Sequence, residues 1–262
     1  MTTSEQGGHA FVVMAHGDSP FLAGCLASLQ AQTTPAKIVV TTSTPSVHID
    51  TAAQSVGAPV VVNPRREGIA ADWNFALAAT EARYVTLAHQ DDVYFPRFLG
   101  CSLDLLAASA RAAAAFTGYE EIDDHGAPIR SRISFAKHAL ERLSLGATAE
   151  PGPRRLRAFL SFGNPLPCSS VTFDRARLGD FAFSGAFRSN LDWDAWLRLR
   201  ESGAAFARTP ERLVGRRHNL LTATAALTRD GVRQREDMEI FRRLWPRPLA
   251  DLVAFAYRAG YR

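Results

Sequence analysis

Along the first hundred residues, short apolar runs alternate with stretches in which apolar side chains recur every three or four positions. Residues 11–15 form an unbroken apolar run and read as a buried strand. Asp18-Ser19-Pro20 follows, placing a capping side chain ahead of a proline in a first helical turn. The helix is predicted to about Gln32, with Leu22, Leu26 and Leu29 on one face. Residues 37–41 and 59–63 are the next two strands, and 68–80 is a helix with Trp73 and Leu77 on one face. Residues 83–88 make a fourth strand that runs into His89-Gln90-Asp91-Asp92, after which Pro96 opens a helix carrying Leu99, Leu103 and Leu106. Strand–helix alternation at this spacing predicts an α/β fold with a mostly parallel sheet and right-handed crossovers. In such sheets ligands bind outside the carboxyl ends of the strands. By that rule His16-Gly17-Asp18, Thr41-Thr42-Ser43 and residues 89–92 share one rim.

The pattern changes after residue 112. Residues 113–118 and 129–135 read as strands around a polar turn, Asp123-Asp124-His125-Gly126. A helix over 154–162, a loop Asn164-Pro165-Leu166-Pro167 and a strand over 169–173 come next. An amphipathic helix over 192–202, a short strand over 213–217 and two helices over 229–244 and 248–259 complete the chain. There is no internal repeat and no long flexible linker, so one domain over 1–262 is expected.

Composition narrows the class. With 262 residues, 47% apolar and 21% charged, the chain resembles ordinary globular proteins and has material for a full core. Cys25, Cys101 and Cys168 are far apart and form no CxxC pair, which argues against a disulfide framework or a zinc cluster and fits a reducing compartment. Residues 1–9 are polar, and no apolar run approaches the ~20 residues of a membrane span, so a cytoplasmic protein is expected. The net charge of +4 is carried by arginine, since Lys37 and Lys137 are the only lysines. Arginine's rigid fork suits phosphate and carboxylate. No basic stripe interleaved with aromatics is present, so no nucleic-acid partner is expected. The closing residues 248–262 are apolar with arginines. Two readings stay open there: a helix packed on its own domain, or one in peripheral contact with the inner face of a membrane.

Asp91 and Asp92 at the end of an apolar strand carry the clearest chemistry. Adjacent acids there are either solvated beside the next helix, or they hold a hard cation shared with a diphosphate. Five segments favour the second reading by their resemblance to family 2 glycosyltransferases of the GT-A fold. Residues 11–33 (FVVMAHGDSPFLAGCLASLQAQT) look like that family's first strand, turn and helix, and 83–99 (RYVTLAHQDDVYFPRFL) are similar to its metal-binding strand and aspartate loop. Residues 190–200 (NLDWDAWLRLR) look like the segment carrying the catalytic base, and 212–222 (RLVGRRHNLLT) resemble the loop that closes over the diphosphate. Residues 164–174 (NPLPCSSVTFD) are similar to the acceptor-side loop and strand.

The resemblance implies a GT-A type, Rossmann-like sheet flanked by helices, with C-terminal helices. About 11–118 would bind the nucleotide sugar, 119–228 the acceptor, and 229–262 would form those helices. It implies an inverting transfer of a sugar from a nucleotide-diphosphate donor to a saccharide or lipid-linked acceptor, assisted by Mn²⁺ or Mg²⁺. Asp92 would coordinate the metal and Asp91 the ribose or sugar. Asp192 would be the general base, with Asn190 and Asp194 as competitors. His218 would be a further metal or diphosphate ligand, or a plain surface histidine, and Arg217 would sit on the phosphates. Ala15 and His16 would lie against the nucleobase. His89 and Gln90 line the sugar pocket or merely accompany the turn. Asn164 and Ser169 fall on the acceptor side, and Trp193 and Trp196 either pack their helix or stack on an acceptor sugar. The sequence departs from the family at Thr41-Thr42-Ser43-Thr44, where an acid commonly recognises the base, and at His89, where some relatives have an acid. A hydroxyl at Thr42 brings no charge. A sugar-nucleotide-binding protein without turnover therefore stands as one alternative. A nucleotidyltransferase is another, disfavoured because no glycine-rich loop with a basic residue follows the first strand.

Overall fold

The computed structural model describes residues 8–130, 132–218 and 223–258. In chain order its elements are β1 (His9–Ala15), α1 (Leu22–Gln30), β2 (Lys37–Thr42), α2 (Val47–Ser55), β3 (Val60–Val62), α3 (Ile69–Ala78), β4 (Tyr84–His89), β5 (Val93–Tyr94), α4 (Phe98–Ala108) and β6 (Ala112–Ile122). They continue with α5 (Arg132–Leu145), α6 (Pro153–Leu160), a 3₁₀ turn (Cys168–Ser170), β7 (Val171–Asp174), α7 (Arg175–Leu178), α8 (Leu191–Glu201), β8 (Ala205–Arg217), α9 (Ala223–Arg229), α10 (Val232–Leu244) and α11 (Arg247–Arg258).

One eight-stranded sheet runs in the order β3-β2-β1-β4-β7-β6-β8-β5. β3, β2, β1 and β4 are parallel, and so are β6 and β8. β7 is antiparallel to both β4 and β6, and β5 is antiparallel to β8. The unbroken apolar run of β1 has a simple cause, since both faces of that strand are covered. Ala10 and Val12 point into a core built with α3, α6, α8, α10 and α11. Phe11, Val13 and Ala15 point into the opposite core, with α1, α2 and α4. Between the layers runs a buried polar file: His9 Nε2 meets Thr86 Oγ1 at 2.9 Å, and Thr86 meets Thr172 at 2.8 Å. β6 and β8 slip register around Gly118, where an added Cβ would stand 2.7 Å from the Pro210 carbonyl oxygen, so the close approach requires glycine.

The structure departs from sequence expectation in several places, among them β8, which runs over 13 residues from Ala205 where only 213–217 was expected. Residues 129–135 were expected to be a strand. Ile129 does donate its N–H to the Glu121 carbonyl (2.7 Å), but the chain then turns into α5. The alternation of Ile and Phe is outweighed by the helix-forming run Ala136 to Leu145, which buries Leu145. Asp18 caps nothing; its Oδ1 accepts from Ser46 Oγ at 2.7 Å. Ser46 in turn caps α2, an element the apolar pattern does not announce. The helix expected over 229–244 starts later, at Val232 behind Gly231 (φ +69°), and a separate helix, α9, precedes it over Ala223–Arg229.

Candidate active site

The carboxyl ends of β1, β2 and β4 do form one rim. Gln90 stitches it. Its Oε1 accepts from His16 N and its Nε2 donates to His16 O, both at 3.0 Å. Ala15 is buried beneath this bond, while His16 is exposed. Gly17, at φ +60°, donates to Thr44 Oγ1 (2.8 Å), and Thr42 Oγ1 accepts from Thr44 N (3.0 Å). The hydroxyls of this segment thus shape a turn. An acid of α3 reaches this segment. Asp72 accepts from Ser43 Oγ (3.1 Å) and from Asn63 Nδ2 (2.8 Å) at the ends of β2 and β3.

At the end of β4 the candidate ligand atoms of His89, Asp91 and Asp92 lie within 4.8 Å of one another. Asp92 is 2% exposed. Its Oδ1 accepts from the Arg217 backbone N–H at 2.9 Å, and its Oδ2 is buried with no hydrogen-bond partner. Burial pushes the Asp92 carboxyl up to about 7, and Asp91 adds to this; Ser169, the Arg217 N–H and Arg216 pull the other way. The Ser169 hydroxyl is near enough to exert that pull without completing a well-formed hydrogen bond. His89 Nε2 is likewise buried and unpartnered. Burial depresses its pKa and keeps the ring neutral, against the opposing fields of Asp91 and Asp192. Two orphaned, electron-rich atoms beside a second carboxylate are uncompensated in this form. The donor set fits a divalent cation.

Asp192 enters from the first turn of α8. Its Oδ1 accepts from Trp193 N at 2.8 Å. Burial raises its pKa; the Trp193 N–H, Arg233 of α10, Asn164 and His89 hold it back. Asp192 lies close enough to His89 for each to feel the other's charge. The buried Cys168 thiol is pushed up first by burial and then by the carboxylates of Asp192 and Asp92. The competitors for the base role are occupied. Asn190 Nδ2 donates to Asp237 Oδ1 (2.8 Å), and the Asp194 carboxylate bridges Arg198 (2.8 Å) and Arg243 (3.0 Å). The loop leading into α8 is fastened by Glu236 of α10, whose carboxylate accepts from Arg188 N (2.7 Å), Ser189 N (2.8 Å) and Asn190 N (3.0 Å).

Of the residues picked from sequence, Asp91 and Asp92 stand together with His89, and Asn164 stands by Asp192, which also feels His89. Five land elsewhere or act differently. Ser169 is 0% exposed, so it cannot meet an acceptor; it backs Asp92. Trp193 is also 0% exposed, with Nε1 donating to Leu160 O (2.9 Å) and its ring against Phe241, which leaves no face for a sugar. Trp196 is buried in the same way, on Leu166 O (3.0 Å). His218 is exposed at the end of β8 and outside the His89–Asp91–Asp92 group; residues 219–222 beyond it lie outside the described residues. The Arg217 guanidinium holds backbone instead of open space. Nε donates to Asp91 O (2.9 Å), Nη1 to Asp123 O, and the group lies 4.4 Å over the Phe21 ring. Arg216, Arg233 and the ligand geometry of His89 were not singled out. The Arg216-Arg217 pair signalled basic residues here, but not that Arg217 would reach Asp92 through its backbone N–H and Arg216 only through its charge.

The family model for Glycosyl transferase family 2 matches residues 10–164, more than half of the chain. A search of curated protein sequences finds no match. Among solved structures the fold is similar to the mannosyltransferase PcManGT from Pyrobaculum calidifontis in complex with GDP-Man and Mn²⁺. There the TM-score is 0.65 and the identity 16%, over 98% of this chain and 75% of that one. It is similar to S. aureus TarS 1–349 in complex with UDP-GlcNAc, with TM-score 0.62 and identity 13%, over 95% of this chain and 71% of that one. In another TarS 1–349 structure the match spans 60% of that chain, so this chain covers about three fifths of its length. Glucosyl-3-phosphoglycerate synthase from Mycobacterium tuberculosis, in complex with Mn²⁺, UDP and glucosyl-3-phosphoglycerate, is similar at TM-score 0.55 and 18% identity, over 86% of this chain and 81% of that one. At such identities the likeness establishes the GT-A fold, and together with the family match over residues 10–164 it makes this chain a member of glycosyl transferase family 2.

Proposed function

We propose that the chain is an inverting, metal-assisted glycosyltransferase that moves a sugar from a nucleoside-diphosphate donor to an acceptor hydroxyl. The observation that carries this reading is the His89–Asp91–Asp92 group, whose ligand atoms lie within 4.8 Å of one another, and the mutual charge felt by His89 and Asp192 supports it. The solved relatives bound to UDP-GlcNAc or to GDP-Man with Mn²⁺ support the donor class.

The rim at the ends of β1, β2 and β4 receives the nucleotide, with Ala15 and His16 beside the base and Asp91 toward the ribose. When bound, a divalent cation neutralises charge building on the departing diphosphate. Asp92 and its neighbours are the residues that would hold it. Arg216, whose charge already reaches Asp92 and His89, adds to that neutralisation. Asp192 takes the proton of the acceptor hydroxyl as its oxygen bonds to the anomeric carbon from the face opposite the phosphate. The bond from that carbon to the phosphate oxygen breaks, and the nucleoside diphosphate leaves with the electron pair. A carboxylate lifted above the ordinary acid range is a better base than a solvated one, provided it stays ionised at the working pH. The acceptor is a saccharide or a lipid-linked saccharide. α11 turns Leu249, Leu252 and Phe255 outward, with Phe162 beside them, a face suited to peripheral contact with lipid.

Donor hydrolysis in the presence of Mn²⁺ tests the reading. Wild-type protein is expected to release nucleoside diphosphate slowly and Asp192→Ala to lose that activity. Equal rates would reassign the chain as a sugar-nucleotide-binding protein without turnover.

A further inference from the structure

His89 stands where the family resemblance expects an acid, and its surroundings fix it firmly. Its carbonyl oxygen accepts from Cys25 Sγ (3.3 Å) and from Asp92 N (3.2 Å), and its ring leans on Trp73 at 5.2 Å. A histidine kept there only for packing would not need a buried Nε2 with no hydrogen-bond partner, nor a ring nitrogen within 4.8 Å of carboxylate oxygens of both Asp91 and Asp92. Asp92 Oδ2 is orphaned in the same place. Two buried polar atoms of this group therefore lack a partner. Ligands on opposite sides of a small divalent cation, at about 2.1 Å each, are about 4.2 Å apart. The three ligand atoms lie within 4.8 Å. Neighbouring ligands of such an ion stand about 3 Å apart, so closing the group on it takes shifts of up to about 2 Å, within reach of side-chain rotation.

Resting on the reading of the site given above, we propose that His89 Nε2 is a direct nitrogen ligand of the divalent cation, beside Asp92 and Asp91, and that this mixed set makes the site select Mn²⁺ over Mg²⁺. The reason is ligand chemistry. Carboxylate and water oxygens suit Mg²⁺, which dehydrates reluctantly, whereas imidazole suits the first-row transition ions. The sequence change from acid to histidine removes one negative charge from the group and adds one neutral nitrogen donor. A site so altered loses attraction for Mg²⁺ and keeps it for Mn²⁺.

The test uses the metals alone on the full chain. Mn²⁺ and Mg²⁺ are titrated by calorimetry into wild type and His89→Asp, with metal-free melting curves confirming that both fold. Pulsed electron paramagnetic resonance of the Mn²⁺-loaded wild type reads ¹⁴N coupling directly. The expected result is Mn²⁺ binding at least about tenfold tighter than Mg²⁺ in wild type, a ratio that shrinks several-fold in His89→Asp. Imidazole ¹⁴N modulation is expected in wild type and not in His89→Gln. Mn²⁺ bound without ¹⁴N modulation, or an unchanged metal ratio in His89→Asp, overturns the role of His89 and leaves the glycosyltransferase reading standing. If neither cation binds, even with a nucleoside diphosphate present, both the ligand role and metal assistance fall. Should the variants fail to fold, the wild-type spectrum alone decides.

Discussion

Replacing Glu236 should cost the protein both stability and turnover. The side chain is 9% exposed and accepts three backbone N–H groups, from Arg188, Ser189 and Asn190, at 2.7, 2.8 and 3.0 Å. Hydrogen bonds to a charged group contribute about 1.5–3 kcal/mol each when removed singly. They act as one unit here, and water entering a truncated site recovers part of the loss, so Glu236→Ala is expected to cost about 3–5 kcal/mol. For a domain of this size that corresponds to a Tm roughly 10 °C lower. Glu236→Gln keeps one acceptor oxygen and turns an amide N–H toward a backbone N–H, so it should fall between wild type and Glu236→Ala. Asp192 stands two residues beyond Asn190, so loosening this loop moves the proposed base more than the nucleotide rim. The donor-hydrolysis kcat should drop by at least about tenfold, an ångström-scale misplacement being enough for that, while KM for the donor stays nearly constant. Urea unfolding and donor hydrolysis, run side by side, make the measurement. An Ala variant within 1 kcal/mol of wild type and with unchanged kcat would refute the reasoning.

Three further outcomes follow from the same geometry. The folded Asp92 carboxyl sits at about 7 against about 3.9 in an unfolded chain, so the native state holds the proton more tightly. Stability of the metal-free protein is therefore full below about pH 4 and falls as pH rises through 7, by about 4 kcal/mol. Asp92→Asn should accordingly be more stable than wild type at pH 8 in chelator and equal to it near pH 4; urea unfolding at both pH values decides, and a pH-independent gap would contradict it. Trp193→Phe should lose about 1–3 kcal/mol by leaving the Leu160 carbonyl unpaired, with no change in acceptor KM. A raised KM at unchanged stability would return Trp193 to the acceptor site. The full chain should co-sediment with anionic vesicles and lose most of that binding in the pair Leu252→Asp and Phe255→Asp, whose parent side chains are 63% and 76% exposed; no sedimentation of wild type ends the lipid reading.

The rim and the acid pair were legible because they depend on local pattern: an apolar run covered on both faces, then residues that such a run leaves exposed at its end. The depth of side chains was less so. Trp193 and Ser169 belong to segments that resemble the acceptor side, yet both are sealed by long-range packing, Trp193 under Phe241 and Ser169 behind Asp92. No spacing rule reports what a residue forty positions away will cover. α2 escaped notice because its nine residues bury only Ile49, Ala52 and Ala53, too few to print a helical period. The start of α5 read as a strand because Ile129 does pair with Glu121 before the chain turns. The match to the family stops at residue 164, whereas Asp192, Arg216 and Arg217 lie beyond it, and long-range packing, β8 in the sheet for the arginines and α8 for Asp192, brings them back toward His89 and the acids after β4.

Arg217 ties these distant stretches together, through Asp91, Asp92, Asp123 and the Phe21 ring. For protein engineering this means that the two halves are not interchangeable cassettes. A chimera joined near residue 164, with its front portion from one homologue and its rear from another, inherits an aspartate loop tailored to a clasp that the new rear half must reproduce. Swaps that carry the acid loop and the end of β8 as a matched pair should yield folded hybrids, and those boundaries are the ones to choose when a new donor preference is to be installed.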